Sequence, residues 1–285
     1  MNIVKLGKYL YSYISRQSLS LLLIFSIFIN PQISTATIKN DEEIVSVKYL
    51  SGMTEGSSNI LGAIHFELNP GWKTYWKNPG PFGVRPYFDW SKSKNIENIE
   101  FFWPTPKVFD QYDIKVIGYE NVVTIPIKIT KRLPSVSTHL HIDLEFGVCS
   151  DICLIKRAEI NSPLTSQIDK KGAVLITKAL EKVPSNTIDH PFSVSSCSIE
   201  EKDGHLSLVY SILLSKKPNL KPTMLLEYTF SDKYFERQNI EINDQKLIVS
   251  ASLNNILNEE GVIERERIMA ILILDNQGFE IAGCG

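Results

Sequence analysis

From Thr138 to Val148 apolar and polar residues alternate without a fault. Leu140, Ile142, Leu144, Phe146 and Val148 fall on one side, and His139, His141, Asp143, Glu145 and Gly147 on the other. A period of two is the mark of a strand with one face in a core and one in water. The same pattern returns in Leu206, Leu208, Tyr210, Ile212 and Leu214. A chain with two such stretches, far apart, has to build sheets in both of its halves.

The segments around them agree. Val45 to Leu50, Asn59 to Leu68, Glu97 to Trp103 and Asn121 to Ile129 are rich in β-branched and aromatic residues. They are broken by Asn69-Pro70-Gly71, Asn78-Pro79-Gly80-Pro81 and Trp103-Pro104-Thr105-Pro106. Residues 37–165 therefore read as a β-sandwich. Between Ser166 and Pro184 the period changes to about 3.6. Val174, Leu175, Ile176, Ala179, Leu180 and Val183 form an apolar stripe beside Lys170, Lys171, Lys178 and Lys182. That predicts one amphipathic helix, stopped by Pro184, in a linker spanning 166–188 and packed where the two β regions meet. Strands resume at Phe192 to Ile199, turn at Asp203-Gly204, and continue through His205 to Leu214, Met224 to Phe230, Lys246 to Leu253 and Ile268 to Leu274. Residues 189–285 are expected to form a second, smaller β-sandwich-like domain. The fold class is mainly β.

The first residues carry Lys5, Lys8 and Arg16, then an apolar run from Leu19 to Ile29, then Ser34-Thr35-Ala36. Basic, apolar and small-residue regions in that order read as a signal peptide over residues 1–36, cleaved after Ala36. The apolar run is about half the roughly 20 residues that span a bilayer. An exported, periplasmic protein follows, with only peripheral or partner-mediated membrane contact. Removing the leader removes three cations and no acids, so 30 basic and 32 acidic residues shift to a net charge of about −5. That balance argues against nucleic acid or anionic lipid as the main partner.

The sequence has four cysteines, Cys149, Cys153, Cys197 and Cys284. In an oxidising compartment an even set points to disulfides. Cys149 and Cys153 flank a three-residue turn between two strands, where cross-strand Cβ atoms come within about 5 Å, so a bridge is sterically reasonable. A loop that small gains little from closure, which leaves two readings: a redox-active pair, or a staple on a hairpin. Alternation puts Cys149 on the polar side, unless a bulge at Gly147 re-aims it. Lys156 and Arg157 are the nearest cations in sequence, opposed by Glu145 and Asp151. His139 and His141 are taken as surface residues. Cys197 and Cys284, in the first and last strands of the second region, are assigned to a structural disulfide. No Met or His adjoins the cysteine turn to complete a soft-metal site, and phosphate-binding glycine loops are absent, so no metal and no cofactor are expected. All four tryptophans, Trp72, Trp76, Trp90 and Trp103, fall close together, either as sandwich core or as an aromatic cap on the cysteine turn.

Gly71-Trp72-Lys73-Thr74-Tyr75-Trp76-Lys77-Asn78-Pro79-Gly80, Trp103-Pro104-Thr105-Pro106, Gly118-Tyr119, Ile125-Pro126 and Val148-Cys149-Ser150-Asp151-Ile152-Cys153 have an order and spacing that resemble one family. It is the family of exported disulfide-corrector domains typified by the amino-terminal domain of the thiol:disulfide interchange protein DsbD. The resemblance covers roughly residues 45 to 165. It implies an immunoglobulin-like sandwich with Cys149 and Cys153 as the catalytic pair of a protein-disulfide reductase. The pair would take electrons from a thioredoxin-like or membrane donor and pass them to oxidised envelope proteins, chemistry that includes cytochrome c biogenesis. The alternative is a non-catalytic envelope binding or assembly module with structural disulfides only.

Overall fold

The alternating stretch becomes the long strand β9 (Thr138–Cys149), whose apolar side chains Leu140, Ile142, Leu144, Phe146 and Val148 are all buried. In this computed structural model the described residues are 44–284, apart from 81, 112–113, 166–168, 187–189, 203–204, 230–234 and 254–262. The leader expected over 1–36 and the turn Asp203-Gly204 lie outside the described residues.

β9 sits in a sheet ordered β10 (Cys153–Leu164), β9, β3 (Lys73–Tyr75), β7 (Ile114–Glu120) and β6 (Lys107–Gln111), with β4 (Tyr87–Asp89) also paired to β9. It faces a second antiparallel sheet ordered β1 (Val45–Glu55), β2 (Asn59–Leu68), β8 (Val122–Lys131) and β5 (Ile96–Phe101). Ile64, Phe66, Ile125 and Ile127 of that sheet meet Ile142, Leu144 and Phe146 of β9 in one core, where Phe66 and Phe146 pack edge to face at 5.2 Å. These two facing sheets are the sandwich expected of the first region.

Beyond residue 190 a sheet ordered β11 (Phe192–Lys202), β12 (His205–Leu214), β15 (Lys246–Ser252) and β14 (Glu236–Asn243) faces a smaller one of β13 (Thr223–Tyr228), β16 (Ile268–Leu274) and β17 (Gln277–Ala282). Leu208, Tyr210 and Ile212 supply their alternate side chains to the core between them. The described residues pack as one unit. Leu225 and Ile271 of the second region reach into the first core, and Lys77 Nζ pairs with the buried Glu227 Oε2 at 2.7 Å.

The helix α1 (Lys170–Leu180) is shorter than its sequence pattern. Asp169 caps it by accepting from the Lys171 amide, which satisfies a donor that the first turn leaves without a partner. Its position differs from expectation. Ile176 and Leu180 pack on the outer face of the β1–β2–β8 sheet, against Leu50, Leu61 and Ala63, and Ala179 is buried, whereas Val174 and Leu175 are exposed. Leu50, Leu61 and Ala63 make an apolar strip on the wet side of that sheet, and the helix is what covers it.

Candidate functional site

β9 and β10 form a hairpin through Ser150, Asp151 and Ile152, and the register sets Cys149 opposite Cys153 with Cα atoms 4.1 Å apart. The two sulfurs are bonded. Pairing runs on without a shift, Leu154 to Val148 and Ile155 to Gly147, so no bulge re-aims Cys149. Cys149 remains on the outward face, yet it is only 1% exposed. Tyr75, Val84, Phe109 and Val116 form a small apolar cluster over it. Cys153, at the start of the edge strand β10, is exposed. One bridge thus joins a buried cysteine to an exposed one.

Tyr75 makes that difference. β3 pairs with the end of β9, Lys73 opposite Cys149 and Thr74 opposite Val148, and the Thr74 hydroxyl donates to the Gly147 carbonyl at 2.9 Å. The Tyr75 ring then lies directly on Gly147, where an added Cβ would fall 2.7 Å from two ring carbons and 2.7 Å from Val84 Cβ. Only glycine leaves room for this approach. The Tyr75 hydroxyl donates to Cys153 Sγ at 3.6 Å. Desolvation by burial raises the phenol above its ordinary pKa, so it stays a proton donor through the neutral range. Tyr75 was not singled out from sequence. The signal available was the glycine at a polar-face position of β9, which marks a close approach by some other part of the chain.

The charged residues flagged in sequence stand elsewhere. Lys156 pairs with Phe146 and is buried, one residue out of phase with Cys153. Arg157 shares the face of Cys153 but reaches Glu145, with Nε 2.8 Å from Oε2. His139 bonds Asn161, and His141 lies near Asp143 and Glu159, both at the far end of β9 from the disulfide. Trp76 is 1% exposed and the other three tryptophans pack partly buried against the same core, Trp90 and Trp103 around Phe101 and Phe88. The tryptophans are core, and the cap on the cysteines is Tyr75.

Cys197 on β11 is bonded to Cys284 just beyond β17, Cα atoms 5.3 Å apart, with Cys284 1% exposed. This bridge joins the two sheets of the second region. Among the described residues no cluster of three or more His, Cys, Asp or Glu is arranged to hold a metal ion, and no helix is long and apolar enough to cross a membrane.

No curated protein matches the chain. The fold is similar to that in the crystal structure of the N-terminal periplasmic domain of ScsB from Proteus mirabilis, with a TM-score of 0.70 and 21% identity over 87% of this chain and 96% of that one. That likeness extends through both β regions. Residues 42–165, which hold the sandwich, the cysteine hairpin and Tyr75, match the family described as thiol:disulfide interchange protein DsbD, N-terminal.

Proposed function

We propose that this is a periplasmic thiol:disulfide exchange protein that passes reducing equivalents between a thioredoxin-like or membrane donor and oxidised envelope proteins through Cys149 and Cys153. The observation that carries the reading is the asymmetry of the bridge: Cys153 is open at a sheet edge, and Cys149 is covered. Exchange needs a thiolate to approach one sulfur along the disulfide axis, and the open sulfur is the one it reaches. The family match over residues 42–165 supports the chemistry. The basic, apolar and small-residue order of residues 1–36 supports export.

The steps follow from that asymmetry. A donor thiolate attacks Cys153 Sγ, the Cys149–Cys153 bond breaks, and Cys149 leaves as a thiolate that takes a proton. The donor's second thiolate then attacks the donor's own sulfur in the mixed disulfide and releases Cys153. Two electrons and two protons have moved to this protein, and the donor is left with a disulfide. In the forward direction the Cys153 thiolate attacks a substrate disulfide, and Cys149 resolves the mixed disulfide by attacking Cys153. The substrate leaves as a dithiol. Cys153 is the exchanging sulfur and Cys149 the resolving one.

Separate Cys149→Ser and Cys153→Ser variants test this. Cys149→Ser should accumulate mixed disulfides through Cys153, and Cys153→Ser should accumulate few. Trapping chiefly through Cys149 would reverse the roles, and no trapping by either variant would favour the binding-module reading.

A further inference from the structure

The sheet face that carries the disulfide is apolar where it should be wet. Ile155 pairs with Gly147 and is 60% exposed, and Ile152, in the turn between the cysteines, is 59% exposed. Tyr87 pairs with Glu145 from the other side of β9 and is 65% exposed. Phe82, also 65% exposed, adjoins Gly83, whose backbone lies against the Tyr75 ring. Ile152 and Ile155 beside Cys153, with Tyr87 about 13 Å further along β9 and Phe82 next to Gly83, make an apolar surface that costs solubility unless something covers it.

The same face continues into a cavity of about 440 Å³ lined by Tyr87, Asp89, Asp143, Glu145, Arg157 and Glu159. Two of its carboxylates are matched, Asp143 by Lys92 at 2.7 Å and Glu145 by Arg157 at 2.7 Å. Among the described residues neither Asp89 nor Glu159 has a lysine or arginine at ion-pairing distance; Asp89 accepts from the Ser91 amide, and Glu159 has His141 at 3.7 Å. Glu145 is four and Asp143 six residues before Cys149 on β9, so the cavity begins about 13 Å from the bridge, and Asp89 and Glu159, which pair across from Asp143, lie about 20 Å from it.

Building on the exchange reading, we infer that this face is the docking surface for the redox partner. It fits a dithiol protein with an apolar collar around its attacking cysteine and a lysine or arginine about 20 Å away. The apolar residues bring the sulfurs together, and the unmatched carboxylates fix the direction in which the partner lies along β9. Lys92, bonded to Asp143, is also felt by Asp89 and Glu159, but one lysine does not neutralise three carboxylates, so a protein with the opposite charge at that distance would meet a net negative patch and be turned away.

The test uses the full chain and two synthetic dithiol peptides. Each has a Trp-Cys-Gly-Pro-Cys core and a spacer of about six residues, long enough to span the gap when extended. One ends in Lys-Lys and the other in Glu-Glu. Reduction of Cys149–Cys153 is followed by differential alkylation, with dithiothreitol as an uncharged control. In about 20 mM salt the lysine peptide should react roughly tenfold faster than the glutamate peptide, and in about 0.5 M salt the two should agree within about twofold. Asp89→Asn with Glu159→Gln should remove the low-salt difference. Ile155→Ser should slow both peptides equally and leave the dithiothreitol rate unchanged within about twofold. Equal peptide rates at low salt, or a difference that survives the double variant, would overturn the docking surface while normal reduction by dithiothreitol left the exchange reading standing. A native bridge that neither peptide nor dithiothreitol reduces would overturn both.

Discussion

The Tyr75 hydroxyl donates to Cys153 Sγ at 3.6 Å, while the ring it belongs to covers Gly147, two residues before Cys149. One side chain therefore treats the two sulfurs in opposite ways, shielding the buried one and offering a donor to the open one. The first prediction concerns the donor. After reduction the same hydroxyl is placed to stabilise a Cys153 thiolate, and hydrogen bonds to charged groups contribute about 1.5 kcal/mol or more, equivalent to about one pH unit. Tyr75→Phe should shift the pH profile of Cys153 alkylation upward by about one unit, measured in a Cys149→Ser background. An unmoved profile would remove Tyr75 from the chemistry.

The shield is tested at Gly147. An alanine there cannot coexist with the Tyr75 ring in its present place, and such overpacking costs about 1–3 kcal/mol. Gly147→Ala should lower stability by that amount in urea and speed reduction by dithiothreitol, because the displaced ring uncovers Cys149. Adding Tyr75→Ala should restore part of the lost stability. Purely additive losses in the two variants would show that the ring is not what the new methyl meets.

The two bridges should differ in what they contribute to stability. Cys149–Cys153 spans a sequence separation of 4 and Cys197–Cys284 one of 87. In the chain-entropy description these correspond to about 2 and about 4.5 kcal/mol. Replacing Cys197 and Cys284 by serine should shift the urea midpoint much further than replacing Cys149 and Cys153. Equal shifts would mean that the second region keeps its sheets together without the bridge.

Acid should weaken the first sheet at Glu67. Its carboxyl accepts from Lys48 at 2.7 Å and lies 3.0 Å from the buried His65, which in turn meets Thr124. The Lys48 hydrogen bond first, then that of His65, holds the Glu67 carboxyl below its ordinary range. A depressed folded-state pKa contributes stability that is present above the unfolded carboxylate pKa and lost as pH falls through the folded value. Denaturant melts taken across the acid range should therefore show a shallower loss in Glu67→Gln than in the parent protein.

Local pattern made some of this legible and tertiary contact hid the rest. The alternation in β9 and β12 reads directly as strands because one face of each is core, and the closeness of Cys149 to Cys153 follows from a tight hairpin. The three-residue strands β3 and β4 carry no period long enough to see. The burial of Cys149 was equally invisible. Its own strand assigns it to the wet face, and the residues that dry it, Tyr75 and Val84, Phe109 and Val116, come from two stretches of chain far from it in sequence. The apolar stripe of α1 announced a helix, but only the strip of Leu50, Leu61 and Ala63 says where it rests.

The unequal spans of the two bridges also impose an order in time. A chain emerges from its amino terminus, so the hairpin bridge can close almost as soon as Cys153 appears. Cys197 has to wait through the synthesis of 87 further residues for its partner. During that interval it is an unpaired thiol in the same molecule as a freshly made disulfide, and the cheapest error is an intramolecular swap. Early docking of β3 on β9 closes one route to that error by burying Cys149. The exposed Cys153 sulfur stays at risk until Cys284 arrives, so the waiting thiol is safe only if the second region folds faster than it can diffuse to the first.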